Sequence, residues 1–253
     1  MFNDAAIIQA RIDLTTALRW AVRLGLNEGV CNHFSLALPG HPDHFLINPQ
    51  GFHWSEIMPN DLVILDGKGE IVAGKHEVEP TAFFIHGGIH RGNNKACVLH
   101  THMPYATALT LLEDGELLWA NQNALRFYGR VSYDHGGYGG VALAKEEGER
   151  MCKALGNADV LFLEHHGVVV CGESVAYAFD DLYYLERSCM VQVLAQSTGK
   201  KLKMIKEELR LGVAEQIGGE RQQSILHFNA LKRILDRSQP GWSGAAPLPT
   251  HVA

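Results

Sequence analysis

The stretch that decides the fold is CVLHTHMPYATAL, residues 97–109, in which an apolar run leads into a His-x-His pair and then a proline. The apolar run predicts a buried strand, and Pro104 predicts the first turn of a helix. Residues two apart on a strand point to the same face, so we expect His100 and His102 to project side by side. Strand-to-helix junctions are where α/β proteins build functional sites. The stretch therefore predicts a site at one end of a strand.

The histidine pair is not specific by itself, because the chain of 253 residues contains 14 histidines. A random scatter of that many gives about one His-x-His pair. A third imidazole comes from FLEHHGVVVCG, residues 162–172, where His166 precedes Gly167 at a predicted strand-to-turn corner. Three neutral imidazoles suit zinc, manganese, iron or cobalt and leave a coordination position open for substrate. The alternative is that all three are ordinary core or surface histidines.

Working outward from this stretch, periodicity and turn residues predict a chain of mixed helices and strands without repeats. The early strands are joined by short turns of the hairpin type. The predicted helices cover residues 4–26, 80–91, 145–155, 174–196 and 203–237, and another begins at Pro104. The predicted strands cover residues 33–38, 44–48, 61–66, 70–74 and 96–102, with two more within 158–172. This pattern indicates one α/β domain, residues 1–200, followed by a C-terminal helical extension and a loose tail, residues 201–253.

Composition narrows the class of protein. Hydrophobic residues make up 46% of the chain and charged residues 20%, as in a globular domain. The net charge is −6 and no basic stripe is interleaved with aromatic residues, so we expect no nucleic-acid partner. No apolar run approaches the ~20 residues of a membrane span, and the N-terminus does not resemble a signal peptide. Five widely spaced cysteines without a C-x-x-C motif favour reduced thiols in the cytoplasm.

The order of motifs resembles the class II aldolase/adducin family across roughly residues 5–200. GLNEGVCNHFSLAL (25–38) resembles its Gly-Asn-x-Ser entry strand, and INPQG (47–51) its Thr-Pro-x-Gly turn. VLHTHMPYATAL (98–109) resembles its His-x-His strand, and FLEHHGVVVCG its third-ligand corner. ESVAYAFDDLYYLERSCMVQVLAQ (173–196) resembles the helix that follows. The resemblance implies a layered α/β/α fold with a central, mostly antiparallel sheet, and a homotetramer with sites between subunits. It also implies a divalent metal, most commonly zinc, on His100, His102 and His166.

The sequence departs from the family where its sugar-phosphate aldolases hold phosphate. Their Gly-Asn, Thr-Gly and Ser-Ser pairs correspond here to Asn32-His33, Gln50-Gly51 and Pro80-Thr81. Proline lacks the backbone N–H that a phosphate loop uses. We therefore expect a carboxylate or a neutral polar group of a small-molecule substrate, bound by residues of the first two pairs and of the turn. The predicted substrate-binding residues are Asn32, His33, Asn48, Gln50 and Gly51. Alternatively, the two asparagines are turn residues.

The residues that would move protons are less clearly marked. The family's catalytic acid falls in register with Thr81 or Ala82, neither of which carries a carboxylate. Glu79, beside the predicted helix start, is the candidate for a proton shuttle or a fourth metal ligand, and otherwise a plain N-terminal helix carboxylate. The family also uses a tyrosine as the acid toward the leaving alkoxide. Tyr128 or Tyr133 could serve, although either could instead be an aromatic residue packed in the sheet.

These features together predict a metal-dependent, aldolase-type lyase that cleaves a C–C bond of a hydroxy-carbonyl substrate. The metal would act as a Lewis acid for the enediolate left by the cleavage. Two alternatives stay open. One is a metal-dependent decarboxylase of a non-phosphorylated hydroxy or keto acid, and the other is a non-catalytic, adducin-like structural domain. Metal content separates the structural domain from the enzymes.

Overall fold

The computed structural model of the chain describes residues 2–136, 138–140 and 145–244. Four strands follow one another after the first helix, helices and strands are then mixed, and three helices end the described chain. The helices are α1 (Ala5–Arg23), α2 (Pro80–Gly92), α3 (Pro104–Thr110), α4 (Lys145–Leu155), α5 (Val175–Gln196), α6 (Glu207–Gly219) and α7 (Gln222–Ser238). The strands are β1 (His33–Leu38), β2 (His41–Ile47), β3 (Val63–Leu65), β4 (Ile71–Ala73), β5 (Cys97–Thr101), β6 (Val131–Asp134), β7 (Val160–Leu163) and β8 (Gly167–Gly172).

All eight strands belong to one sheet, in the order β4-β3-β2-β1-β5-β8-β7-β6. Every neighbouring pair is antiparallel except β6 and β7, which run parallel. The predicted mostly antiparallel sheet is therefore confirmed. The strand of the His-x-His pair, β5, lies near the centre, where His100 is opposite His33 of β1 and Val169 of β8.

Helices cover both faces of the sheet, because successive strand side chains point to opposite sides and both sides are apolar. On one face, sheet residues such as Leu99 and Val170 form the main core with side chains of α1, α3, α5 and α7. On the other face, residues such as Val98 pack with Ile85 of α2 and Met151 of α4. The layered α/β/α arrangement is confirmed.

Most element boundaries follow local sequence signals. The Asp4 carboxylate accepts a hydrogen bond from the backbone N–H of Ile7 (3.0 Å) and caps α1, as predicted. Pro104 occupies the first turn of α3. The C-terminal region differs from the single helical segment predicted for residues 203–237. It forms two helices, α6 and α7, which are separated by a turn between Gly219 and Gln222.

The last helix belongs to the same core as the sheet. α7 contributes Phe228 and Leu231 to the main core, and the indole of Trp20 donates a hydrogen bond to the Leu231 carbonyl (3.0 Å). The division into residues 1–200 and 201–253 stays a prediction. Residues 245–253, which include most of the predicted loose tail, lie outside the described residues. Within the described part of the chain, no helix has the length and apolarity to cross a bilayer.

Candidate metal centre

Three imidazoles converge at the end of β5. His100 lies on this strand, His102 just beyond it, and His166 in the turn between β7 and β8. Pairing of β8 with β5 brings the turn to the His-x-His pair, and one ligand-capable atom from each ring lies within 4.8 Å of the others. Ring centroids are 4.7–5.1 Å apart. The structure thus brings together the three residues that the sequence predicted as metal ligands.

Gly167 makes this approach of the backbone feasible. A Cβ at this position would lie 2.5 Å from the Thr101 carbonyl oxygen and 2.9 Å from the His102 ring. Any other residue type would push the β7–β8 turn away from β5. The His-Gly pair of the sequence therefore has a steric reason: the ligand must be followed by a residue without a side chain.

The orientation of two rings is set by hydrogen bonds on Nδ1. In His100, Nδ1 donates to the Val168 carbonyl oxygen (3.0 Å), which leaves Nε2 as the ligand atom. In His102, Nδ1 donates to the Glu28 carboxylate, and Nε2 is buried without a hydrogen-bond partner among the described residues. A buried lone pair with no partner is what a missing cation would satisfy. The donor set fits a divalent metal.

Burial keeps two of the three rings, those of His100 and His166, neutral. Burial lowers the pKa of His100 well below 6.5, and the neighbouring imidazoles add to this effect. Burial, followed by the nearby His102, lowers the pKa of His166 from 6.5 to about 4. Metals bind neutral imidazole, so these two rings are in the form that binds a metal across the physiological pH range.

A cleft of about 490 Å³ opens beside the triad. Within it, the His33 ring stacks on His100 with centroids 6.0 Å apart, and its Nε2 lies 2.8 Å from Oε2 of Glu79. The Thr81 hydroxyl donates to the other carboxylate oxygen of Glu79 (2.9 Å). The hydrogen bond from His33 lowers the pKa of Glu79, against the opposing effect of burial. Hydrogen bonds with His33 and Thr81 therefore fix the position of the Glu79 carboxylate close to the triad.

The predicted substrate-binding residues separate into two groups. Asn32 and His33 line the cleft, and Asn32 is held at a φ of 75° with only 2% of its surface exposed. Its side-chain amide is buried without a partner among the described residues, so it is available to a ligand. In contrast, Asn48 uses its amide within the fold: Oδ1 accepts from the Phe34 N–H (2.8 Å) and Nδ2 donates to the Asn32 carbonyl (3.3 Å). Neither Asn48, Gln50 nor Gly51 is among the residues that line the cleft.

The two predicted catalytic tyrosines do not line the cleft in this chain. Tyr128 packs edge-on against Trp119 with centroids 5.3 Å apart, beside a different cavity. The Tyr133 hydroxyl accepts a hydrogen bond from the Leu117 N–H (2.9 Å), and its ring stacks on Phe162. Burial raises the pKa of Tyr133. The catalytic role of either tyrosine stays a prediction.

Sequence reasoning missed several residues that line the cleft. They are Glu28, Cys31, Thr107, Tyr138 and His165. Tyr138 lies in a glycine-rich segment without periodicity, and its ring meets that of His165 edge-on (5.7 Å). His165 adjoins the third ligand and has a φ of 55°. This conformation is uncommon for a residue other than glycine, and the sequence alone does not reveal φ.

Behind the cleft lies a buried polar chain. The Ser35 hydroxyl is 2.6 Å from Nδ1 of His86 and 2.7 Å from Nε2 of His90, whose Nδ1 donates to the Lys95 carbonyl (2.6 Å). Because a carbonyl only accepts, the neutral His90 accepts from Ser35, and Ser35 accepts from His86. His86 and His90, four residues apart on α2, are thus held in the fold under the site.

These buried imidazoles make stability depend on pH. Burial lowers the pKa of His90 to about 4, so the unfolded chain binds more protons than the folded chain between that value and 6.5. We expect the free energy of unfolding to be fully present above about pH 6.5 and to fall below it. A shift of this size corresponds to a loss on the order of 3 kcal/mol below both pKa values, of which roughly 2 kcal/mol is lost between pH 7 and pH 5. Urea unfolding of the metal-free protein at pH 5 and pH 7 measures it.

A control variant should leave this pH dependence unchanged. His135 is well exposed, with an ion-pair distance of 3.8 Å to Glu116. His135→Ala should therefore show the same difference between the two pH values as the unmodified chain. Equal urea midpoints at pH 5 and pH 7 in the unmodified chain would contradict the assignment of neutral, buried histidines.

Comparison with known proteins adds to the geometry. The family model described as Class II Aldolase and Adducin N-terminal domain matches residues 12–193. A putative aldolase class 2 protein of Pseudomonas aeruginosa is 35% identical over 246 residues, which is 94% of this chain and 93% of that protein. A decarboxylase of Streptomyces niveus is 34% identical over 224 residues, 86% of this chain and 79% of that protein. The crystal structure of an aldolase II superfamily protein from Pseudomonas syringae matches with a TM-score of 0.89 and 34% identity, over 96% of this chain and 98% of that one.

Proposed function

The chain belongs to the class II aldolase/adducin family, and on this basis we propose that it is a metal-dependent lyase. The substrate would be a small hydroxy-carbonyl compound, and the reaction would break the C–C bond next to the carbonyl. The observation that carries the proposal is the position of the held carboxylate, Glu79, in the same cleft as the three convergent imidazoles.

The metal would be held by His100, His102 and His166, and we propose zinc, with manganese, iron or cobalt as the other candidates. When bound, a divalent cation supplies Lewis-acid stabilisation for negative charge that develops on a substrate oxygen. A structural role of the adducin type is the alternative. The Nε2 of His102, buried and without a partner in the part of the chain that the structure describes, supports the metal, because a scaffold has no use for an unsatisfied polar atom.

The remaining roles follow from contacts in the cleft. Glu79 would accept the proton of the substrate hydroxyl as the C–C bond breaks, and would return a proton to the carbon that is left. The hydrogen bond from His33 holds the Glu79 carboxylate in place for both transfers. The unpartnered amide of Asn32 and the unpartnered hydroxyl of Thr107 would bind polar groups of the substrate.

A second candidate is loss of CO2 from a non-phosphorylated hydroxy or keto acid. Among the described residues that line the cleft, none is a lysine or an arginine. A phosphate dianion would therefore meet no cationic side chain among these residues, whereas a carboxylate could accept hydrogen bonds from neutral donors such as Asn32. Decarboxylation also breaks the C–C bond next to the carbonyl, but it releases CO2 where aldol cleavage releases an aldehyde or ketone. The similarity to the Streptomyces decarboxylase favours this candidate over a structural domain.

A substrate screen tests the proposed function. The zinc-loaded protein is incubated with hydroxy and keto acids, and released pyruvate, aldehydes and CO2 are followed separately. We expect at least one non-phosphorylated acid to be cleaved, and phosphorylated ketoses to be poor substrates because the described lining of the cleft includes no cationic side chain. Turnover of ribulose 5-phosphate or fuculose 1-phosphate with kcat/KM above ~10⁵ M⁻¹s⁻¹ would contradict this preference.

We also propose that the chain works as a homotetramer in the cytoplasm. Large apolar side chains of α5 and α6, including Val191, Leu194, Leu209 and Leu211, are exposed in the single chain. A neighbouring subunit would bury them. All five cysteines are free thiols, as a reducing compartment permits. Light scattering that gave the mass of one chain, 27.9 kDa, at micromolar concentration would contradict the assembly.

A further inference from the structure

Glu28 lies in the short segment between α1 and β1 that turns back over the triad. Gly29 has a φ of 55°, and the Cys31 N–H donates to the Glu28 carbonyl (2.9 Å), which closes a tight turn. The Asn27 side chain donates to the Gly29 carbonyl (3.3 Å) and braces the same turn. The Glu28 side chain is 62% exposed, and its carboxylate reaches His102, 74 residues further along the chain.

The two nitrogens of the His102 ring have contrasting surroundings. Nδ1 is bonded to the Glu28 carboxylate, which can only accept, so this nitrogen carries a proton. The nitrogen that is left for a metal is Nε2, which is buried without a partner among the described residues. The carboxylate thereby decides which nitrogen faces the triad. His100 is oriented differently, by the uncharged carbonyl of Val168.

We propose that Glu28 is a positioning residue of the metal centre, which fixes the His102 tautomer and raises the basicity of the Nε2 that binds the metal. The inference rests on the proposed function, because it presumes a metal on the triad. A charged acceptor on Nδ1 makes an imidazole a stronger ligand than a neutral acceptor does. Glu28 contacts His102 and is not itself a ligand, so it acts on the metal through the ring.

The test is a titration of the metal-free protein with Co²⁺, whose visible spectrum reports both affinity and coordination. Two variants are compared with the unmodified chain. Glu28→Ala removes the acceptor and should weaken Co²⁺ binding by about 10–100-fold. Glu28→Gln keeps a neutral acceptor for Nδ1–H and should weaken binding less than Glu28→Ala. Both variants should keep the shape and intensity of the Co²⁺ absorption bands, because the three ligands are unchanged.

Glu113→Gln, at an exposed turn, is the control and should bind Co²⁺ like the unmodified chain. Circular dichroism of each variant checks that the fold is intact, as expected for a substitution on an exposed loop. The tautomer is read independently from the ¹⁵N shifts of His102, which should show protonated Nδ1 in the unmodified chain and a mixture in Glu28→Ala.

The outcomes separate this inference from the proposed function. If Glu28→Ala binds Co²⁺ as tightly as the unmodified chain, the positioning role is wrong while the metal site stands. If the band intensities change as for a lost ligand, Glu28 binds the metal directly and the positioning role is again wrong. If the unmodified chain binds no Co²⁺, the metal site itself fails, and the inference fails with it.

Discussion

His166→Ala is expected to abolish stoichiometric metal binding and to lower kcat/KM by at least about 10³-fold, while the protein stays folded. Among the described residues, this triad is the group of His, Cys, Asp and Glu side chains that could hold a metal ion. Removal of one imidazole leaves two, fewer than the three protein ligands of a catalytic zinc site. Several kcal/mol of Lewis-acid stabilisation are then lost, and each 1.36 kcal/mol is a tenfold change in rate.

The fold should survive because the β7–β8 turn is held by the backbone. The N–H of His166 donates to the Leu163 carbonyl (3.1 Å), and this bond does not involve the ring. Metal content by elemental analysis, circular dichroism and steady-state kinetics provide the three measurements. His135→Ala, at an exposed histidine outside the cleft, is the matched control. A folded His166→Ala that retains one metal per chain and full activity would show that the triad is not the centre. An unfolded variant would favour the reading of His166 as a core histidine.

Glu79→Gln is expected to lower kcat by about 10²–10⁴-fold and to leave metal affinity nearly unchanged. Glutamine retains an oxygen that can accept the hydrogen bond from His33, so the geometry of the pair is preserved. It lacks a group that can take up and return a proton at ordinary pH. The loss should therefore fall on kcat, because proton transfer occurs in the transition state and contributes little to substrate binding.

The matched control for this variant is Glu77→Gln. Glu77 lies two residues away but outside the cleft, and its backbone carbonyl accepts from Gln50, a contact that the substitution preserves. It should keep normal kcat and metal content. Parallel losses of metal and of kcat in Glu79→Gln would instead identify Glu79 as a fourth ligand. Normal kcat in this variant would remove it from the mechanism.

Much of the fold could be predicted because its signals are local. Asp4 and Pro104 mark helix starts by their own chemistry, and the apolar run of β5 can only be a buried segment. Strand β6 was not predicted. Its four residues lie beside a glycine-rich stretch and pair in parallel with β7, at the edge of the sheet. The side chains of such a short edge strand are only half-buried, which leaves no clear alternation to detect.

The site was predictable where spacing or a motif carries the chemistry, as for His100, His102 and His166. It was not predictable where contacts join distant segments of ordinary sequence. Glu28 contacts His102 from a loop whose sequence has no periodicity. This contact depends on the tight turn at Gly29, which is visible only in the structure. The contact between the Tyr133 hydroxyl and the Leu117 backbone N–H likewise joins segments that no local pattern connects. Such contacts depend on tertiary structure, which a single sequence does not encode in a local pattern.

The most direct test of the central claim is a crystal structure of the zinc-loaded protein with data collected on both sides of the zinc absorption edge. The account predicts one strong anomalous peak per chain, about 2.0–2.1 Å from a ring nitrogen of each of His100, His102 and His166. For His100 and His102 this nitrogen should be Nε2, since Nδ1 donates to Val168 and to Glu28. A zinc peak elsewhere, or three rings turned apart with no peak between them, would contradict it.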